Sequence, residues 1–196
     1  MKTIYNRDGC ILKTDNLFNQ SLEFAGFQKA LWKELSSLNY IKEFGRLVTY
    51  QGDKDIDYIY TRTHHKANGW TSHIESTTQL IRQYLQSDDR DNYFNHCLIN
   101  QYLPDMSLNR HKDDEPELID AIASLSLGDS AYFIYGNEYN KLRLNHGDVL
   151  IGNRKFFDTL HHAVSKPINV SVGRRFNLTW RTVNPIDSDI MRIIHK

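Results

Sequence analysis

Two stretches in the first half of the chain carry apolar residues at helical spacing. Within about residues 21–38, apolar side chains recur every three or four positions, at Phe24, Phe27, Leu31, Leu35 and Leu38. Within about residues 72–85, the same spacing joins Ile74, Thr78, Ile81 and Leu85. The pattern predicts two helices, each with one buried face. Ser72 and Glu75 have the spacing of a capping box, which indicates that the second helix begins at Ser72.

The segments around these helices carry weaker β-like patterns. Residues 47–50 and 58–60 are β-like runs on either side of the polar segment 51–57, and this order predicts a hairpin. Residues 61–69 are polar and are predicted to form a loop. Residues 11–18 are short and mixed in character, and we expect an edge strand there.

The second half of the chain has a different character, because many short β-like runs alternate with turn residues. The runs are residues 97–103, 108–113, 122–127, 131–135, 141–144, 149–151, 159–164 and 175–182. Turn pairs such as Pro104-Asp105 and Gly128-Asp129 separate them. Closely spaced strands with such turns predict a sandwich, a barrel or a jelly roll. Beyond Pro185, isoleucines at i, i+4 spacing predict one or two helical turns.

Length and charge narrow the class of protein. A chain of 196 residues fits one domain with a buried core. Its 24 basic and 24 acidic residues balance, so we do not expect a protein held to nucleic acid by a broad basic surface. The two cysteines, Cys10 and Cys97, imply no disulfide framework. The first residues lack the apolar core of a signal peptide, and we expect a cytoplasmic monomer.

One residue separates His111 from Asp113 in a predicted strand. Side chains at i and i+2 of a strand face the same way, so both can bind one ion. A third ligand has to come from elsewhere, and the adjacent His161 and His162 are candidates. Two histidines and one carboxylate leave three positions open on the ion, as in non-haem Fe(II) oxygenases. Taken alone, the pair is weak evidence for a metal site, because a surface strand that bears polar residues gives the same pattern.

Residues 175–181 alternate strictly between apolar and polar side chains. Phe176, Leu178 and Trp180 face one way, whereas Arg175, Asn177, Thr179 and Arg181 face the other. The polar face would contact water if the strand belonged to an antiparallel sheet with one face packed on the core and the other exposed to solvent. If it faces a barrel interior, the two arginines need anionic partners. A dicarboxylate such as 2-oxoglutarate supplies one at each end.

Asn100 and Tyr102 form a second i, i+2 pair, on the predicted strand that precedes His111. Both carry hydrogen-bond donors that suit the same dicarboxylate. Taken alone, an Asn and a Tyr on a half-buried strand explain the pair about as well.

Several ordered motifs together resemble the AlkB family. They are Leu98-Ile99-Asn100-Gln101-Tyr102, His111-Lys112-Asp113-Asp114-Glu115-Pro116, residues 122–128, His146-Gly147-Asp148, His162, and Arg175-Phe176-Asn177-Leu178-Thr179-Trp180-Arg181. Their order and spacing match over about residues 94–182, and a weaker similarity extends back to about Arg46. The resemblance favours His162 over His161, because the family's ligand precedes a small residue and a branched aliphatic, here Ala163-Val164.

The resemblance implies a mainly β protein with flanking helices, built on a double-stranded β-helix. A single domain would then comprise an N-terminal α/β extension (1–45), a substrate lid with a helix (46–92), the catalytic jelly roll (93–183) and a tail (184–196). It also implies Fe(II) on His111, Asp113 and His162, with O2 as a further substrate. The co-substrate 2-oxoglutarate would lie on Asn100, Tyr102, Arg175, Asn177 and Arg181, with Arg175 at its distal carboxylate and Arg181 nearer the metal.

The activity that the resemblance implies is oxidative demethylation of bases such as 1-methyladenine and 3-methylcytosine in DNA or RNA. Formaldehyde, succinate and CO2 would be released, and the base would be flipped out or already single-stranded. Tyr58, Tyr60 and Trp70 lie where the family has its lid, and Glu115 lies where relatives have an acidic base contact. Core packing explains these aromatic residues equally well. Arg46, Arg62, Lys66 and Lys112 are either phosphate contacts or scattered surface charge.

The sequence is also compatible with two other kinds of protein. A dioxygenase of the same fold that acts on protein side chains or a small molecule would use the same metal and 2-oxoglutarate residues. A non-catalytic jelly-roll binding module, with or without zinc, would not need both the metal residues and the 2-oxoglutarate residues.

Overall fold

The computed structural model describes residues 1–18, 23–54, 56, 58–60, 63–65, 69–86 and 94–184. In this part of the chain the strands form antiparallel sheets around two hydrophobic layers, which confirms the mainly β class. The large sheet has the order β1 (Lys2–Arg7), β2 (Cys10–Asn16), β12 (Asp148–Gly152), β9 (Leu118–Gly128), β14 (Arg175–Val183), β7 (His96–Tyr102), β4 (Arg46–Gly52) and β3 (Ile41–Glu43). The small sheet has the order β11 (Asn140–Leu144), β10 (Ala131–Tyr135), β13 (His162–Val164) and β8 (Leu108–His111). A separate ribbon pairs β5 (Tyr58–Tyr60) with β6 (Thr63–His65).

The predicted helices are confirmed as α1 (Glu23–Ser37) and α2 (Ser72–Gln86). Leu31 and Leu35 of α1 join Ile74 and Ile81 of α2 in one core cluster with the apolar side of β14. Each fully buried aliphatic side chain contributes roughly 1.5–3 kcal/mol. Trp180 is fully buried in this layer and donates its indole N–H to Thr78 at 2.8 Å. The helices therefore cover one face of the large sheet and leave its other face for the small sheet.

A second apolar cluster lies between the two sheets, with Phe133 and Val164 of the small sheet opposite Ile122 and Leu150 of the large one. A short helix, α3 (Arg154–Thr159), which the sequence pattern did not predict, adds Phe156 and Phe157 to this cluster. Antiparallel sheets facing one another in this way form the predicted jelly roll. A cavity opens within this layer, where polar side chains replace apolar ones.

Three local predictions were wrong. The predicted hairpin between residues 47–50 and 58–60 does not form, because β4 pairs with β3 and β7, while β5 pairs with β6. Phe44 and Gly45, both with positive φ, close the β3–β4 hairpin instead. The predicted loop 61–69 contains β6, and β2 is an inner strand between β1 and β12.

The predicted capping box is also replaced by a tertiary contact. The Glu34 carboxylate of α1 accepts hydrogen bonds from the backbone N–H groups of His73 and Ile74, so it satisfies the first turn of α2. The predicted helical turns beyond Pro185 lie outside the described residues. None of the described helices combines the length and the apolar character that crossing a membrane requires.

Candidate active site

Two neighbouring strands of the small sheet bring His111 and His162 together. In the β13–β8 pair, His162 is opposite His111 and Val164 is opposite Leu108, so β8 carries one extra residue between them. Such a bulge re-aims the side chains that follow it. The two imidazole rings lie 4.3 Å apart between centroids, and both line the cavity. His161 lies directly before the strand and is exposed, whereas His162 is buried and lines the cavity.

Backbone carbonyls fix which nitrogen of each imidazole faces the site. His111 Nδ1 lies 2.9 Å from the carbonyl oxygen of Asn109, and His162 Nδ1 lies 3.5 Å from that of Leu160. A carbonyl only accepts, so Nδ1 carries the proton and Nε2 keeps its lone pair for a metal. Burial lowers the pKa of His162 to about 4, against the opposing Asp113 charge, and this keeps the imidazole neutral.

Asp113 completes the cluster from a loop. The prediction that it shares a strand with His111 was wrong, because β8 ends at His111. Its backbone N–H donates to Phe157 at 3.2 Å, and its carbonyl accepts from Arg154 Nη1 at 2.7 Å. Arg154 also donates to the Glu115 carbonyl at 2.8 Å. Helix α3 therefore holds the loop that presents the carboxylate.

The Asp113 carboxylate is 2% exposed and ionised. Burial acts to raise its pKa, but the Arg181 guanidinium and then the two histidines outweigh burial and hold the pKa well below its usual range. Arg181 Nη2 lies 3.1 Å from Oδ2, and the other oxygen, Oδ1, is buried and accepts no hydrogen bond from the described residues. An ionised carboxylate with one uncommitted oxygen is suited to bind a cation.

The donor set fits Fe(II). One ligand atom from each of His111, Asp113 and His162 lies within 4.8 Å of the others, and His111 Nε2 is 3.6 Å from Asp113 Oδ1. Two neutral imidazoles and one carboxylate on one side of an ion form the facial triad of non-haem iron oxygenases. Cysteine, the usual ligand of closed structural zinc sites, is absent from the cluster.

Strand β14 turns its polar face into the cavity, as the dicarboxylate hypothesis required. Arg175, Asn177, Thr179 and Arg181 line the cavity, and Asn100 does so from β7. Arg175 is fully buried, donates from Nη2 to Ser126 at 2.8 Å and lies 5.1 Å from the Tyr102 ring centroid. Its Nε and Nη1, like the Tyr102 hydroxyl, are buried and make no hydrogen bond with the described residues. Arg175 lines the same cavity as the metal ligands, whereas Tyr102 lies beside Arg175 and is not among the residues that line it. The buried guanidinium of Arg175 therefore fits an acidic co-substrate.

A chain of amides crosses the floor of the cavity. The side-chain Nδ2 of Asn100 points to the backbone oxygen of Asn177 at 3.4 Å, and the Nδ2 of Asn177 donates to the Ser124 hydroxyl at 2.6 Å. Thr179 donates to Asn177 Oδ1 at 3.0 Å. These bonds set the orientation of both amides.

The predicted substrate residues are less closely grouped. Tyr58 and Tyr60 lie on the β5–β6 ribbon, which the structure describes through its backbone. Trp70 packs against the helix-side core and donates its indole N–H to Asp53 at 2.6 Å, away from the cavity lining. Glu115 is half-buried, and its Oε2 is buried without a hydrogen-bond partner among the described residues. Burial, and then the Asp113 charge, raises the pKa of Glu115 to about 6.

Two site residues were missed or misread in the sequence. Arg46 is 1% exposed and lines the cavity, so its expected place on the surface was wrong. Its position in the alternating run Arg46, Val48 and Tyr50, all buried, was the available signal. Arg154 had no such signal, because its contacts are to the backbone of a distant loop.

The sequence matches known proteins over the same region. Residues 13–181 match the 2OG-Fe(II) oxygenase superfamily. The alpha-ketoglutarate-dependent dioxygenase AlkB of Escherichia coli (strain K12) is 37% identical over 98 residues, which cover 43% of this chain and 44% of AlkB. An RNA replication protein of Grapevine virus A is 27% identical over 127 residues, or 62% of this chain and 7% of that protein. The solved structure of OsALKBH1 matches with a TM-score of 0.65 at 20% identity, covering 90% of this chain and 99% of that one.

These matches and the site agree on a class of protein. The chain belongs to the 2OG-Fe(II) oxygenase superfamily, which implies Fe(II), 2-oxoglutarate and O2. Within that superfamily its sequence similarity is to AlkB, although the match spans less than half of AlkB. The likeness to OsALKBH1 shows that the fold is shared.

Proposed function

We propose that the protein removes N-alkyl groups from nucleobases in DNA or RNA by Fe(II)- and 2-oxoglutarate-dependent oxidation. The observation that carries the proposal is one cavity, lined by His111, Asp113 and His162 on one side and by Arg175 on the other. The similarity to AlkB supports oxidative dealkylation. Iron, 2-oxoglutarate and O2 together supply the oxidising chemistry that hydroxylates an N-methyl carbon, and the product releases formaldehyde.

In this proposal, His111, Asp113 and His162 hold the iron, and Arg181 keeps the Asp113 carboxylate ionised and oriented. Arg175 and the Tyr102 hydroxyl supply buried donors for the distal carboxylate of 2-oxoglutarate. The Asn100 and Asn177 amides orient the same molecule between that end and the metal.

Glu115 is the proposed base contact. Glu115 is not among the residues that line the cavity, but it lies two residues after Asp113, and its Oε2 accepts no hydrogen bond from the described residues. We propose that this oxygen accepts a hydrogen bond from an exocyclic amino group. Both 1-methyladenine and 3-methylcytosine carry such a donor beside the methylated nitrogen. Tyr58 and Tyr60 are proposed to stack on the base from the β5–β6 ribbon, because a base gripped by stacking needs few phosphate contacts. This agrees with a net charge of zero.

The test offers Fe(II)-loaded protein single-stranded DNA, duplex DNA and RNA, each carrying 1-methyladenine or 3-methylcytosine. RNA is included because one relative is an RNA replication protein. Formaldehyde release from at least one substrate is the expected result. Succinate formation without formaldehyde from any of them would overturn the nucleobase proposal and favour a protein or small-molecule substrate.

A further inference from the structure

Arg46 is a third buried arginine in the cavity, beside Arg175 and Arg181. It begins β4, is 1% exposed and donates from Nε to Asn100 Oδ1 at 2.5 Å. Nη1 makes a long contact of 3.4 Å with the Glu43 carbonyl. No carboxylate in the described part of the chain lies within ion-pair distance of this guanidinium. A buried cation without a counter-charge is unfavourable, so the position indicates an anionic ligand.

The register of the large sheet shows which end of the cavity Arg46 serves. Arg175 is opposite Tyr102 on β7, and Leu47 is opposite Gln101. One step further along β4, Arg46 falls in the same row as Tyr102 and Arg175. Arg181, which holds Asp113, is six residues away along β14, or about 20 Å at the rise of a strand. Arg46 therefore belongs to the end of the cavity that is remote from the metal ligands.

Arg46 also determines how the Asn100 amide is oriented. Because a guanidinium only donates, the atom 2.5 Å from Nε has to be the amide oxygen. The amide nitrogen of Asn100 then faces Asn177 and the cavity. Without Arg46, the amide could turn and present its oxygen to an incoming carboxylate.

We propose that Arg46 is a positioning and specificity residue for 2-oxoglutarate. Arg46 turns the amide NH2 group of Asn100 towards the co-substrate. It also adds a second cation beside Arg175 at the distal carboxylate. This inference rests on the proposed placement of 2-oxoglutarate, although not on the identity of the alkylated substrate. It predicts that the protein discriminates strongly between 2-oxo acids with and without a distal carboxylate.

The experiment titrates Fe(II)-loaded protein with 2-oxoglutarate or 2-oxopentanoate under anaerobic conditions, using calorimetry. The two acids have the same chain length, and only the first has a distal carboxylate. Arg46→Met is compared with the wild type, with Arg46→Lys and with Lys42→Met, an exposed cation on the neighbouring strand β3. Thermal unfolding establishes that each variant is folded.

Arg46→Met is expected to weaken 2-oxoglutarate binding by about 10- to 100-fold, the scale of a charge-assisted hydrogen bond. Binding of 2-oxopentanoate should change by less than about threefold. Arg46→Lys should recover part of the loss, because it keeps the charge without the planar fork, and Lys42→Met should behave as the wild type. If Arg46→Met does not fold, Arg46→Lys provides the test: it should bind 2-oxoglutarate more weakly than the wild type does, with little change in the binding of 2-oxopentanoate.

An equal loss for both acids would mean that Arg46 only supports the fold, and would overturn the proposal. Unchanged 2-oxoglutarate binding with a raised KM for nucleic acid would assign Arg46 to the substrate instead. Selective loss of 2-oxoglutarate binding in a protein that is inactive on methylated nucleic acid would sink the nucleobase proposal and leave this one standing.

Discussion

Arg181 Nη2 lies 3.1 Å from Asp113 Oδ2, so the last strand of the large sheet holds the carboxylate of the metal site. Both side chains are almost fully buried. The contact joins β14 of the large sheet to the loop that follows β8 of the small sheet, beside His111 and His162. The metal site therefore depends on Arg181, whose guanidinium stays protonated and has no lone pair with which to bind a metal.

Replacing Arg181 by Met should weaken metal binding by about 10- to 100-fold, because the ionised and oriented state of Asp113 is lost. Calorimetric titration with Mn(II), a redox-stable substitute for Fe(II), measures the effect. Arg143→Met, an exposed change on β11, is the control. Unaltered Mn(II) affinity in Arg181→Met would show that Asp113 needs no support from β14.

His162→Ala should abolish iron binding and turnover, whereas His161→Ala should largely spare both. The reason is geometric, since His162 faces the cavity and His161 is exposed. Iron content and succinate formation are the two measurements. Loss of iron in His161→Ala with retention in His162→Ala would reverse the assignment of the third ligand.

Arg154→Ala should release the loop that carries Asp113 and Glu115, because it removes two charge-assisted bonds to their backbone carbonyls. We expect a loss of about 1.5–3 kcal/mol in the free energy of unfolding and several-fold weaker Mn(II) binding. Denaturant unfolding and calorimetry measure these effects. The neighbouring Lys155→Ala is exposed and should change neither; if the two variants behave alike, α3 does not hold the loop.

Glu34→Gln should destabilise the protein by about 1–2 kcal/mol at pH 7, because it removes the charged cap of α2. Burial acts to raise the pKa of Glu34, but hydrogen bonds from Thr71 and His73 outweigh burial and lower the pKa from 4.5. The contribution of a carboxylate with a depressed pKa is fully present above its unfolded value and is lost as the pH falls through the folded value.

The stabilities of wild type and Glu34→Gln should therefore converge as the pH falls below about 4.5. Urea unfolding from pH 7 to pH 3 measures the difference, with the exposed Glu138→Gln as control. A difference that stays constant over this range would show that the charge of Glu34 contributes nothing to the cap.

The periodic parts of the fold could be predicted from the sequence because their signals are local. The spacing of Leu31 and Leu35 identified α1, and the alternation of residues 175–181 identified both faces of β14. Whether the polar face of that strand met solvent or a cavity could not be decided from the alternation. That depends on the small sheet packed above it, which is a tertiary property.

The errors have the same origin. The residue that caps α2 is Glu34 on another helix, so no spacing around Ser72 could reveal it. Asp113 was expected on a strand, but it lies in a loop. The residues that hold this loop, Arg154 and Phe157, are 41 and 44 positions further along the chain. His111, Asp113 and His162 nevertheless lie together in one cluster. A histidine or carboxylate motif is recognisable in the sequence wherever the backbone places it.

Oxidative demethylation of a nucleobase is measured best as formaldehyde and succinate together, from Fe(II)-loaded protein with 2-oxoglutarate, O2 and RNA or single-stranded DNA carrying 1-methyladenine. We predict equimolar formaldehyde and succinate, and neither product from His162→Ala. Succinate without formaldehyde, on this base and on 3-methylcytosine in either nucleic acid, would contradict the claim.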